Sequence, residues 1–341
     1  MKRRLVALVL SAAVASPVAA DDVLTPPEHR RGEEQTFLTF PEWFLVHSPA
    51  ELAHFLSLQR RASEFAWGGH IVQFWQGYRG VTRETERYPF NAGYHLMVAV
   101  IGTSTSVEYG LKSAYESTVG RLAEASAEGP PTHEDRLAAR VAQRYVDFIR
   151  VEPWYLFDFA APLRELWTTT YAVGPNLLRK WERRFALTTE YAIKAGYAWL
   201  IEAATRSIYE EARPTTAVVL DREPHPLPKG LSELRRIEGA PGAVVVTVPR
   251  YRAFMSYAQA LADQRLAFRE IAGNRGTILA SVIVRSETTP PAAPLRVVFT
   301  QPILTQPGWQ RHVVALPVAE LAPQLRRWRA ADVQVEHIYD Y

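Results

Sequence analysis

Apolar positions along this chain follow two periods, and the change falls near residue 212. Before it, hydrophobic residues recur at three- and four-residue spacing, the pattern of helices that each bury one face. The stretch "TFLTFPEWFLVHSPAELAHFLSLQRR" opens this region. Within it Ser48-Pro49-Ala50-Glu51 reads as a helix start, with Ser48 as N-cap, Pro49 at the first helical position and Glu51 closing a capping box. Thr132-His133-Glu134-Asp135 reads the same way, ahead of Leu137, Val141, Tyr145 and Phe148. The longest helix is predicted from about Asn176 to Ala212, with Trp181, Phe185, Ala192, Trp199 and Ala203 on one face. It is read as the spine of a helical domain, with Arg179, Lys180, Arg183 and Arg184 solvated or paired to acids elsewhere. The breaks "WGGH", "EGPPT" and "VGPN" are placed between helices.

After residue 212 the pattern shortens. "ARPTTAVVLDREPHPLPKGLSELRRIEGAPG" carries five prolines and reads as a connection with one short strand, Ala217 to Leu220. Then come "GAVVVTVPR" as strand, "YRAFMSYAQALADQRLAFREIAG" as a helix closed by Gly273, and "GTILASVIVRS" and "LRVVFTQPIL" as strands. "HVVALPV" is an additional candidate strand, "AELAPQLRRWRAA" a helix and "VQVEHIYDY" the last strand. The order βαββαβ is that of a ferredoxin-like unit. Alternation of Val333, Val335, His337, Tyr339 and Tyr341 predicts a sheet covered on one face. The fold class expected is therefore α+β. Residues 1–20 form a leader, 21–36 an extended segment, 37–212 a helical domain rich in Trp and Tyr, 213–241 a Pro-rich connection and 242–341 a ferredoxin-like domain.

Charge alters this picture once the leader is recognised. "MKRRLVALVLSAAVASPVAA" has a basic start, a short apolar centre and small residues at its end, the layout of a secretory signal cleaved after Ala20. Three of the 39 basic residues lie in it, which leaves 36 against 36 acidic ones and removes the charge argument for a nucleic-acid partner. There is no cysteine, so disulfides, thiolate metal sites and thiol nucleophiles are excluded. An exported chain of this length can dispense with disulfides because it can bury a sizeable core. The periplasm is the expected compartment.

Candidate chemistry centres on two stretches. "NAGYHLMVAVIGTSTSVEYGLK" combines His95, Glu108 and Tyr109, but its unbroken apolar run of six residues is too short for a membrane span. Helix geometry puts Glu108 opposite His95, and puts Tyr109 about 21 Å away along the axis. A catalytic His95 thus needs a partner from another segment, and Glu108 is expected to pair with Lys112. In "WGGHIVQFWQGYR", His70 is a second general-base candidate, with Glu42, Glu108 or Tyr109 as helper. Gln73, Trp75, Tyr78 and Arg79 suit a polar or sugar-like ligand, against the plainer reading of a packed helix. The nine tryptophans are accounted for by amphipathic packing. His47, Glu51 and His54 are candidate metal ligands by type, but Glu51 is already placed in the capping box and no His-Glu-x-x-His pattern occurs. No metal and no cofactor are expected, since every nucleotide and hydrolase signature is missing.

The expectation is an exported, non-enzymatic protein that binds a small polar molecule or an envelope partner. The alternative is a hydrolase-type enzyme with a His/carboxylate site assembled between helices. A membrane-peripheral or N-terminally anchored protein comes third.

Overall fold

The computed structural model describes residues 23–208, 214–288 and 295–339. The leader with its cleavage point, the end of the long helix beyond Ile208, and Tyr341 lie outside the described residues. Seven helices come first: α1 (Gln35–Ser57), α2 (Trp67–Thr85), α3 (Ala92–Tyr115), α4 (Arg121–Ala125), α5 (His133–Ile149), α6 (Ala160–Thr169) and α7 (Leu177–Ile208). A π-helical turn, Glu116–Gly120, fuses α3 to α4. Then follow β1 (Thr215–Leu220), β2 (Arg235–Ile237), β3 (Val244–Pro249), α8 (Arg252–Asp263), β4 (Phe268–Ile271) and β5 (Thr277–Arg285). The chain continues through β6 (Arg296–Pro302), β7 (Trp309–Pro317), α9 (Val318–Ala330) and β8 (Gln334–Tyr339). The fold is α+β, with the helices first and the antiparallel sheets second.

The helix start read at Ser48 is corrected. Helix α1 runs unbroken through Pro41 and Pro49, and Ser48 hydrogen-bonds the Tyr109 hydroxyl at 2.7 Å instead of capping. An interior proline costs a helix about 3 kcal/mol. Here α1 is buried from Thr36 to Phe55 on several sides, and that packing outweighs local preference. The capping box at Thr132 forms with Asp135 as its partner. Gly68 and Gly69 fall in the first turn of α2 rather than before it. Helix α3 is continuous across Gly102, whose missing side chain admits the Phe74 ring of α2.

Among the described residues eight strands form two sheets, ordered β2-β3-β1-β4 and β6-β7-β5-β8, with every pairing antiparallel. The strands of the expected βαββαβ run are thus divided between two sheets rather than joined in one ferredoxin-like sheet. Each half has the same connectivity: its first strand lies between its third and fourth, and a helix joins those two. This repeat is topological and leaves no fixed period in the sequence. The helix read from Tyr251 to Gly273 is corrected as well: α8 stops at Asp263, and Phe268–Ile271 pairs with β1 as strand β4. Arg265 at φ 57° turns the chain between them. The additional candidate strand is β7, at the interior of its sheet.

Both sheets and both C-terminal helices share one core, in which Phe254 and Leu261 of α8 and Leu325 and Trp328 of α9 meet Val246, Ile278, Val314 and Ile338. The second sheet is covered on its other face too, which corrects the one-faced expectation. Leu279, Val313, Ala315 and Tyr339 carry Phe37, Phe40 and Trp43 of α1 and Val81 of α2. Strand β8 serves both sides through a bulge: Ser281 pairs with His337 and Val282 with Val335, leaving Glu336 without a partner in the ladder. Residues 23–31 lie along the first sheet. The backbone amides of Leu24 and Thr25 and the Thr25 hydroxyl all donate to the buried Glu270 carboxylate, at 2.8, 2.8 and 2.7 Å.

Candidate functional site

Helix α7 keeps the predicted amphipathic period but turns its charged face inward. Arg179 pairs with Glu124 at 3.1 Å, Asp135 at 2.8 Å and Glu182 at 3.0 Å. Arg183 forks onto Glu116 at 2.9 and 3.0 Å and also holds Glu182. Arg184 reaches Glu134 at 3.1 Å and the Thr170 hydroxyl at 2.7 Å. Apart from Glu182 of α7 itself, the acids come from α4, α5 and the π-helical turn, and planar guanidinium forks suit such buried carboxylates. The face expected to pack therefore points out: Trp181, Phe185, Ile193 and Trp199 are 46%, 64%, 65% and 69% exposed. From Leu177 to Ala203 no exposed residue is charged.

Helices α3 and α7, with α1 and α5, enclose a cleft of about 2400 Å³. Leu96, Met97, Val100 and Ile101 of α3 line it, as do Phe185, Ile193 and Tyr197 of α7. Phe44, Leu45, Pro49 and Leu52 come from α1. Helix α5 contributes Ala138, Ala139 and Ala142, and these short side chains leave the space open. Trp154 and Leu156 come from a 3₁₀ turn, and Pro249, Arg250 and Tyr251 from the junction between β3 and α8. Tyr251 sits at φ 59°, ψ −135°, a backbone strain of about 1–3 kcal/mol placed at the cleft wall.

Two polar clusters interrupt this apolar lining: part of the α7 arginine network, through Arg179, Arg183, Glu116, Glu124 and Asp135, and a lysine–glutamate cluster. Lys112 contacts Glu108 at 3.0 Å and Glu190 at 2.8 Å, while Lys194 contacts the same two carboxylates at 3.1 and 2.9 Å. Burial works to raise the Glu108 carboxyl, but the two ammonium groups hold it down at about 2. The Lys112 ammonium stands over the Trp67 ring, and that of Lys194 over Tyr145 and Phe159. The lysine–glutamate cluster is formally neutral, and can offer both donors and acceptors to a headgroup.

A further polar assembly joins α1 and α2 to the second sheet. Arg311 of β7 holds Glu336 at 2.5 and 2.7 Å and Glu51 at 3.1 Å. His47 lies 3.4 Å from Glu336 and 3.3 Å from the Tyr339 hydroxyl. His70 stands 3.8 Å from Glu51 and stacks on Phe65; His337 stacks on Trp43. Burial depresses His47 to about 4 and His70 to about 3, and pushes Glu51 up. None of these side chains lines the cleft, so the assembly is structural mortar between the two parts.

The sequence candidates are distributed rather than gathered. His95 accepts or donates a 2.8 Å hydrogen bond with Tyr78 and stacks on Phe90. Glu108 lies in the lysine cluster and pairs with Lys112 as expected. Tyr109 packs edge-on against His70, ring centres 6.3 Å apart, while its hydroxyl meets Ser48. Gln73 donates to the Pro302 carbonyl, Trp75 to Ser106, and Arg79 is exposed; none of the three lines the cleft. Glu42 is pushed up to about 7 by burial, against a hydrogen bond from Tyr94 and the charges of Arg250 and Arg31. His54 caps no cluster, and among the described residues no group of three or more His, Asp or Glu side chains is placed to hold a metal ion.

Sequence reasoning missed Arg311, Glu336 and the three alanines of α5; it pairs Glu190 with Lys194 four residues on, as observed, but on a solvated face rather than in the cleft wall. A signal was present for the first two: a charged residue inside an otherwise apolar strand, as in "QRHVVAL" and "VQVEHIY", needs a buried counter-charge. No protein-family model matches this chain, and no curated protein and no solved structure matches it significantly.

Proposed function

We propose that the protein is an exported, non-enzymatic binding protein whose helical cleft holds a long-chain amphipathic molecule. The cleft carries the reading. Its volume of about 2400 Å³ exceeds the roughly 300–1,000 Å³ typical of sites for small molecules, and its walls are chiefly aliphatic and aromatic. A polar ligand of sugar size would leave most of that lining wet. An acyl chain would cover it, gaining about 0.8 kcal/mol per methylene buried. Its headgroup would lie beside the Lys112–Glu108–Lys194–Glu190 cluster. Export rests on the leader-like pattern of residues 1–20. The hydrolase alternative draws no support from the geometry, because His70 lies outside the cleft and His95 has a tyrosine, not a carboxylate, as its hydrogen-bond partner.

A titration with oleate, followed by tryptophan fluorescence, tests this. Wild type is expected to saturate. Ala142→Trp fills part of the floor, and displacing two or three methylenes should weaken binding by about 2 kcal/mol, roughly thirty-fold in Kd. Unsaturable binding by wild type, or an unchanged Kd in Ala142→Trp, would overturn the reading.

A further inference from the structure

We infer that the exposed apolar faces of α3 and α7, which border the cleft, dock the protein onto a lipid bilayer, with the mouth of the cleft against the leaflet. The inference extends the reading of the cleft, since a bilayer supplies the class of molecule that such a cleft would take.

The first ground is inverted polarity. Helix α7 is about 40 Å long between Leu177 and Ala203, yet its arginines are buried and its exposed positions are Leu177, Leu178, Trp181, Phe185, Ile193, Trp199 and small or neutral neighbours. Helix α3 repeats the pattern: from Ala92 to Ala114 its exposed positions are Leu96, Val100, Val107, Leu111 and uncharged small residues. Together these side chains expose apolar surface on the order of 1,000 Å², where a monomer in water usually shows a few hundred. Polar contacts inside and apolar side chains outside suit a helix pair that meets hydrocarbon.

The second ground is continuity. Leu96, Val100, Val107, Leu111, Phe185 and Ile193 are exposed on this face and also line the cleft, so whatever covers the face meets the mouth. The third is charge. The exposed charged residues that line the cleft are Arg60, Arg61, Arg136 and Arg140 against Glu152 and Glu233, an excess of cations fitting anionic headgroups. Trp181, Trp199 and Tyr197 are the side-chain types that favour the headgroup level. Among the described residues no helix is long and apolar enough to cross a membrane, so the attachment is to one leaflet.

Flotation of the full chain with vesicles of phosphatidylethanolamine and phosphatidylglycerol tests the inference. Wild type is expected to float with the vesicles. Trp199→Glu and Leu200→Glu, at exposed positions outside the cleft, should each cut the vesicle-bound fraction at least ten-fold while leaving the oleate titration unchanged. Ala142→Trp should float as wild type does. Wild type remaining at the bottom of the gradient, or glutamate variants floating equally well, would overturn the docking surface. So would a stable dimer that Trp199→Glu dissociates and that ignores vesicles, because a second copy would then cover this face. Flotation without oleate binding would leave the docking in place and discard the reading of the cleft.

Discussion

Replacing Arg311 by methionine is expected to destabilise the protein by about 3–5 kcal/mol, a large part of the stability of a typical domain. Arg311 is 2% exposed on an interior strand and binds two carboxylates that arrive from opposite sides, Glu51 from α1 and Glu336 from the β8 bulge. Without the guanidinium, both acids remain buried with no cation, and burial already pushes Glu51 up. The urea midpoint should fall with an unchanged m-value. Exchanging Glu51, Glu336 and Arg311 together for apolar residues of similar volume should recover most of the loss, since it leaves no buried charge unpaired. An unfolding free energy for Arg311→Met within about 1 kcal/mol of wild type would show that the cluster does not join the two parts.

Acid should loosen the same junction. His47 and His70 titrate at about 4 and about 3 in the folded chain, against 6.5 when unfolded, and His337 lies well below 6.5, each because burial disfavours the imidazolium. Between pH 6.5 and 4 the unfolded chain therefore binds more protons, so stability is full above about 6.5 and is lost as pH falls through this window. His47 and His70 each place about 3–5 kcal/mol at stake. Glu42 opposes them, as does Glu51, which burial also pushes up: the folded value of about 7 for Glu42 means that the folded chain takes up the proton first, and this contribution to stability rises as pH falls from 7 to 4.5. Below 4.5 the direction is uniform. Glu336 and Glu108, both held at about 2 by their cations against the opposing effect of burial, then lose their contribution as they protonate. Urea midpoints measured from pH 7.5 to 4 should fall, and Glu42→Gln should make the fall steeper by removing the opposing proton. A midpoint at pH 4.5 equal to that at pH 7.5 would refute the assignment.

Local pattern was legible where one face decides the structure. The capping box at Thr132, the start of α7 and most strand positions could be read directly because each rests on neighbours within a few residues. The side that α7 buries was not legible. Its period is the same for either face, and only the acids of α4, α5 and the π-helical turn, distant in sequence, make the arginine side the inner one. Proline at 49 suggested a helix start for a good local reason, but the burial of α1 against the second sheet overrides it. Phe268–Ile271 fits a helical period and became a strand because β1 offers it a ladder. The sequence groups Glu51 only with its neighbours Ser48, His47 and His54, and offers His70 no charged partner nearby. Their counterpart Arg311 is 260 residues from Glu51, and no spacing rule reaches that far. The cleft is the least legible feature, since it is made by the alanines of α5 and by side chains of helices far apart in the sequence.

Native mass spectrometry of the full chain, purified without detergent and then incubated with oleate, tests the central claim most directly. The account predicts a mass increment of bound fatty acid on the folded protein, carried by wild type and by Trp199→Glu and largely absent from Ala142→Trp. Folded wild type with no increment, or equal increments on wild type and Ala142→Trp, would contradict it.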